Sequence, residues 1–192
     1  MNFAVLASGN GSNLQAIMEA QKIGHVGGSL TTVIADKAAA LALVRARQGG
    51  VPRVLHVDPK DYPSREAFDL ELVRLLNADN IGLVVLAGYM RILSPAFIRA
   101  FPGRVINIHP ALLPAFKGAH AVRDALAAGV GQTGVTVHFV DEEVDHGPVI
   151  AQVPVKVEAG DTLATLTARI HAAEHLLYPQ VVAHVLQSLS AA

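Results

Sequence analysis

Cysteine and tryptophan are both missing from this chain of 192 residues. Without cysteine there is no disulfide scaffold, no thiolate metal site and no cysteine nucleophile. Aromatic residues make up only 5% and are scattered, which leaves no stacking platform for bases. Charge of one sign is also lacking: 15 Lys and Arg against 16 Asp and Glu leave a formal −1, with no general attraction to nucleic acid. Long hydrophobic runs are absent despite a 52% hydrophobic composition. The longest candidate, residues 81–90, is broken by two glycines and is far too short to span a bilayer. The N-terminus has no basic region and runs straight into Phe3–Ala7, which reads as a first core strand rather than a signal peptide. The reading is a cytoplasmic chain with no membrane partner, in which small basic clusters remain free to bind an anionic small molecule.

What is present is an alternation of strand-like and helix-like segments. The length suits one well-packed core and not two full domains. Apolar runs at 3–7, 30–35, 54–57, 83–87 and 104–109 read as strands. Between them, helices are expected over 13–22, Ala38–Gln48, Arg65–Asn77 and Pro95–Ala100, with Gly49-Gly50 as a stop and Ser94-Pro95 as a start. This order predicts an α/β fold: a doubly wound, mostly parallel sheet with right-handed crossovers. After residue 133 the pattern changes to two alternating segments, 133–140 and 149–155, which predict an antiparallel extension. Asp161-Thr162 caps a final long helix that Pro179 is expected to kink or split. No linker divides the chain, so residues 1–192 read as one domain, with a phosphate-binding half (1–110) and a second half (111–192).

Chemistry concentrates at the ends of the apolar runs. Asn107 and His109 stand two apart at the carboxyl end of a strand stopped by Pro110, so they share a face where open α/β sheets place ligands. An amide that donates and an imidazole that moves protons suit acyl chemistry. Asp145, in the acidic loop Asp141–Gly147, is the carboxylate that could tune the imidazole, since a neighbouring carboxylate favours the protonated ring. The bland alternatives are a buried structural Asn–His pair and a solvated turn. Ser8-Gly9-Asn10-Gly11-Ser12-Asn13 lies between a strand and a helix, where backbone N–H groups and the helix end can take a phosphate. It has neither the third glycine of a dinucleotide fingerprint nor a Walker lysine. An ordinary turn capped by Ser12 or Asn13 competes with the phosphate reading. His171-Ala172-Ala173-Glu174-His175 has the spacing of one zinc-protease motif, but little chain remains for further ligands, and no metal is expected.

Four of these stretches carry a family likeness: Val5–Ile17, Leu86–Pro95 with its Gly-Tyr-Met-Arg-Ile-Leu core, Ile106–Pro114 and Asp141–Ile150. In order and spacing they closely resemble the phosphoribosylglycinamide formyltransferases, folate-dependent enzymes of purine synthesis, over nearly the whole chain. The resemblance implies formyl transfer from 10-formyltetrahydrofolate, a co-substrate, to the amine of glycinamide ribonucleotide. It implies catalytic roles for Asn107, His109 and Asp145. On the ribonucleotide side it implies Gly11, Ser12, Asn13, His171 and Glu174. On the folate side it implies Arg65, Met90, Arg91, Ile92, Leu93, Asn107, Asp141 and Val144. Small molecules are the expected partners, on a monomer or homodimer without nucleic acid. The chain departs from the family pattern at Ala111, where serine is common, at Lys117-Gly118, and in a C-terminus shorter than that of some relatives. A formyltetrahydrofolate hydrolase and a non-catalytic phosphate-binding module are the competing functions; a tRNA formyltransferase would need a further domain.

Overall fold

A computed structural model describes residues 1–191; Ala192, the last residue of the expected domain, lies outside them. Five strands, β1 (Asn2–Ala7), β2 (Ser29–Ala35), β3 (Arg53–His56), β4 (Ile81–Leu86) and β5 (Val105–His109), run parallel to one another. β6 (Gln132–Phe139) and β7 (Val149–Lys156) add antiparallel to β5 and to each other, giving a seven-stranded sheet in the order β3-β2-β1-β4-β5-β6-β7. The order turns back between β1 and β4, which is the switch point where ligands bind in open sheets.

The continuous apolar strands are explained by helices on both faces. Phe3, Val5 and Ala7 of β1 and Leu83 and Val85 of β4 face one core, with α1 (Ser12–Lys22), α2 (Leu41–Gln48) and α6 (Leu163–Ala191). Ala4, Leu6, Val84 and Leu86 face the other, with α3 (Arg65–Ala78) and α4 (Pro95–Ala100). Val105 of β5 is buried in that second core, and Asn107 and His109 continue its face toward the strand end.

Two local expectations are corrected and one element is added. α2 begins at Leu41 rather than Ala38, because Ala40 N–H closes a turn onto the Lys37 carbonyl and Ala40 itself is extended. α6 runs unbroken through Pro179. The missing N–H of that proline is offset by the buried stripe of Tyr178, Val181, Val182 and Val185 that packs the helix on the sheet. A seven-residue helix, α5 (Ala121–Ala127), has no counterpart among the expected elements; two turns offer too little apolar spacing to read. Among the described residues no helix is long and apolar enough to cross a membrane.

Candidate active site

The ends of β1, β4, β5 and β6 and the loops that follow them build the site. The turn after β1 brings Gly11 into the left-handed region at φ 75°, where it serves as N-cap of α1. A side chain there would put its Cβ 2.7 Å from the Ala42 backbone, so glycine is required twice over. Neither Ser12 nor Asn13 caps the helix, contrary to the competing reading of this turn. The first-turn N–H groups of α1 therefore have no side-chain acceptor, the arrangement that suits an anion. Asn13 is turned instead toward α6, where its Nδ2 donates to Glu174 Oε2 at 2.9 Å. Burial pushes the Glu174 carboxyl above its ordinary value, against the hydrogen bond from Asn13 and the charge of His171.

Tyr178, one helical turn beyond Glu174, fixes that part of α6 to the sheet. Its buried hydroxyl donates to the Leu86 carbonyl at 2.7 Å and lies 3.3 Å from that of Ile106. Those carbonyls belong to β4 and β5, and Ile106 immediately precedes Asn107. Ser8, just past β1, performs a matching function: its N–H donates to the Gly88 carbonyl at 3.0 Å and its Oγ accepts from Met90 N–H at 2.9 Å. The loops after β1 and β4 are thus tied side by side.

Asn107 and His109 face a cavity of about 400 Å³. β6 lies in register beside them, with His138 opposite Asn107 and Thr136 opposite His109. His138 Nδ1 donates to the Phe139 carbonyl at 2.8 Å, which leaves Nε2 to accept from Asn107 Nδ2 at 3.2 Å. That contact orients the amide and leaves its second N–H for a ligand. Thr136 Oγ1 donates to the Ala111 carbonyl and accepts from Leu113 N–H, pinning the start of the loop Ala111–Gly118.

His109 is only 4% exposed. Its Nε2 donates to the Phe116 carbonyl at 2.8 Å, and its Nδ1 lies 3.4 Å from Asp145 Oδ2. Asp145 also takes the Gly118 N–H at 2.8 Å, and its Oδ1 lies 3.7 Å from His138 Nε2. Burial works to raise the Asp145 pKa, but the Gly118 N–H and the charge of His109 outweigh it and hold the carboxyl below its ordinary value. A carboxylate with a lowered pKa stabilises the fold fully above its unfolded value of about 4 and loses that contribution as pH falls through the folded value. The difference in Tm between wild type and Asp145→Asn is therefore expected to be widest at neutral pH and to close below about pH 4. A gap that stays constant from pH 7 to pH 3 would speak against this placement of the carboxylate.

The loop that carries Asp145 is held tightly. Asp141 accepts from Glu143 N–H at 3.0 Å and from His146 Nδ1 at 2.8 Å. At Gly147 a Cβ would collide with the Phe139 carbonyl. Gly147→Ala must shift the loop and is expected to lower turnover tenfold or more, given roughly a hundredfold for a 1 Å misplacement. Circular dichroism unchanged from wild type would show that the loss is local. Around the rest of the cavity, Met90, Ile92 and Val144 are 65%, 55% and 46% exposed, an apolar rim suited to a flat ring system.

Residues 1–182 match the formyl transferase family. The chain is 48% identical over 182 residues to the phosphoribosylglycinamide formyltransferase of Escherichia coli (strain K12), covering 95% of this chain and 85% of that one. The crystal structure of phosphoribosylglycinamide formyltransferase from Bacillus halodurans matches with a TM-score of 0.94 at 47% identity, covering 97% of this chain and 95% of that one. The chain belongs to the phosphoribosylglycinamide formyltransferase family. It is also 48% identical over 182 residues to the trifunctional purine biosynthetic protein adenosine-3 of Drosophila pseudoobscura pseudoobscura, and spans 13% of that protein's length.

For a formyltransferase of this family the expected residues fall into three groups. Asn107, His109 and Asp145 converge on one cavity, which Met90, Arg91, Ile92, Leu93, Asp141 and Val144 also line. Asn13 meets Glu174 where α1 packs on α6, and Gly11 and Ser12 immediately precede Asn13 at the start of α1. His171 lies exposed on the same helix, its ring stacked on that of His175 with centroids 6.2 Å apart. Arg65 does not line the cavity; it stands exposed at the start of α3, its charge acting on buried Asp69. His138, the Phe116 carbonyl and the Gly118 N–H are additions that the sequence reading does not contain. His138 belongs to the alternating stretch of residues 133–140, whose pattern does not single it out.

Proposed function

We propose that this chain transfers the formyl group of 10-formyltetrahydrofolate to the amine of glycinamide ribonucleotide. Glycinamide ribonucleotide formylation in purine synthesis follows from the family; the donor and the mechanism rest on the site. The observation that carries them is the convergence of Asn107, His109 and Asp145 on a cavity with an apolar rim, beside a helix start open to an anion.

The ribonucleotide's phosphate takes the first-turn N–H groups of α1 at Gly11, Ser12 and Asn13, and Glu174 and His171 hold the glycinamide side of the same molecule. The folate ring lies against Met90, Ile92 and Val144, with Arg91, Leu93 and Asp141 around it and Arg65 beyond the cavity's edge. The amine lone pair attacks the formyl carbon, and the carbonyl π electrons move onto oxygen. Asn107 donates its remaining N–H to that oxyanion. The N10–carbon bond then breaks as His109 delivers a proton to N10, and the proton lost by the amine restores the imidazole.

His109 has an acceptor at each ring nitrogen, so the ring can carry a proton on both, the form that donates one. Asp145 holds the Nδ1 side in place, and the reacting group takes over the Nε2 side from the Phe116 carbonyl. Such proton transfer is worth about a hundredfold to ten-thousandfold. No step in this sequence calls on a metal, and among the described residues no group of three or more His, Asp or Glu could hold one.

Following folate absorbance with and without the ribonucleotide tests the reading. Conversion of the 10-formyl donor is expected only when glycinamide ribonucleotide is present, with one formylated product per folate released. Conversion that ignores the ribonucleotide would make the chain a hydrolase, and ribonucleotide binding without any conversion would make it a binding module.

A further inference from the structure

The phosphate loop contains no cation of its own: Ser8-Gly9-Asn10-Gly11-Ser12-Asn13 is wholly uncharged. Its geometry depends on where its carbonyls point, because a carbonyl turned toward an anion repels it and an N–H turned toward it binds. In this loop every carbonyl from Gly9 to Gly11 is engaged. The Gly9 carbonyl accepts from Ala42 N–H at 3.1 Å and the Gly11 carbonyl from Gln15 N–H at 2.9 Å. The Asn10 carbonyl accepts from Arg45 Nε at 2.9 Å, and Arg45 Nη2 donates to Asn10 Oδ1 at 3.2 Å. Arg45 thus holds both the main chain and the side chain of the central loop residue from α2, 35 positions away.

Arg45 is half-buried on α2, the same helix whose Ala42 closes against Gly11. Two parallel N–H donors on one residue fix an orientation as well as a distance, which a lysine cannot do. We propose that Arg45 is a positioning residue for ribonucleotide binding: it turns the Asn10 carbonyl away from the phosphate, holds the Gly11–Asn13 N–H groups toward it, and brings a positive charge to an uncharged loop. This rests on the phosphate reading of that loop, and it assigns the preference for a phosphorylated substrate partly to a residue outside the loop.

Steady-state kinetics with glycinamide ribonucleotide and with its ribonucleoside, which lacks the phosphate, test the assignment in wild type, Arg45→Met, Arg45→Lys and Gly11→Ala. Arg45→Met is expected to raise KM for the ribonucleotide roughly tenfold, the scale of a charge-assisted pair, with kcat and the KM of the formyl donor little changed. Its kcat/KM for the ribonucleoside is expected to equal that of wild type, which a general loosening of α2 would not leave intact. Arg45→Lys is expected to recover less than half of the loss; full recovery would overturn the orienting role. If Arg45→Met keeps the full preference for phosphate while Gly11→Ala loses it, Arg45 has no part and the loop reading stands. If Gly11→Ala keeps that preference too, the phosphate is bound elsewhere and both fall.

Discussion

Turnover is expected to fall by about a hundredfold to ten-thousandfold when His109 is replaced by alanine, with the fold retained. The size of the effect follows from the position of the ring. It is the buried imidazole at the end of β5, and it has Asp145 on one nitrogen and a replaceable backbone carbonyl on the other. Removing it also leaves the Phe116 carbonyl without its donor, a cost of about 1–3 kcal/mol if that group stays buried. The variant should therefore be assayed well below its own Tm, with circular dichroism confirming the helices. The KM values of both substrates are expected to change little, because in the proposed mechanism the ring acts on the bond that breaks rather than on the parts that bind. Near-normal turnover in a folded variant would remove His109 from the mechanism.

The second large effect belongs to Asn107. Loss of one oxyanion donor costs about a hundredfold to a thousandfold in turnover, so Asn107→Ala is expected to fall in that range. His138 gives this prediction a further test. Because its Nε2 accepts one amide N–H of Asn107, it sets which way the amide faces. His138→Ala is therefore expected to lower turnover less than Asn107→Ala, and the double variant no more than Asn107→Ala alone. Independent, additive losses would mean that His138 does not act through Asn107.

Much of this site could be read without a structure. The apolar runs and the residues that end them place Asn107 and His109 together, since two positions apart on a strand is one face. Asp145 needed the fold, because what brings it to His109 is the β6–β7 connection and a left-handed backbone at φ 49°. His138 was hidden by register: nothing in an alternating strand says which of its residues lies opposite Asn107. The Phe116 carbonyl and Gly118 N–H are main-chain groups and leave no mark in side-chain identity. Arg45 and Asn10 are likewise too distant in sequence for spacing to connect them. At the larger scale, the change from continuous to alternating apolar pattern after residue 133 marks the turn from parallel to antiparallel strands. Ala38–Ala40 has high helix propensity, but the turn onto the Lys37 carbonyl decides where α2 begins.

The central claim is that Asn107, His109 and Asp145 stabilise the tetrahedral intermediate of direct formyl transfer. Inhibition constants for a stable tetrahedral analogue of that intermediate test it most directly, measured on wild type, Asn107→Ala, His109→Ala and Asp145→Asn beside kcat/KM for the reaction. The account predicts that the analogue's affinity falls in proportion to kcat/KM across the series. Analogue binding that stays at the wild-type level while kcat/KM collapses would contradict it.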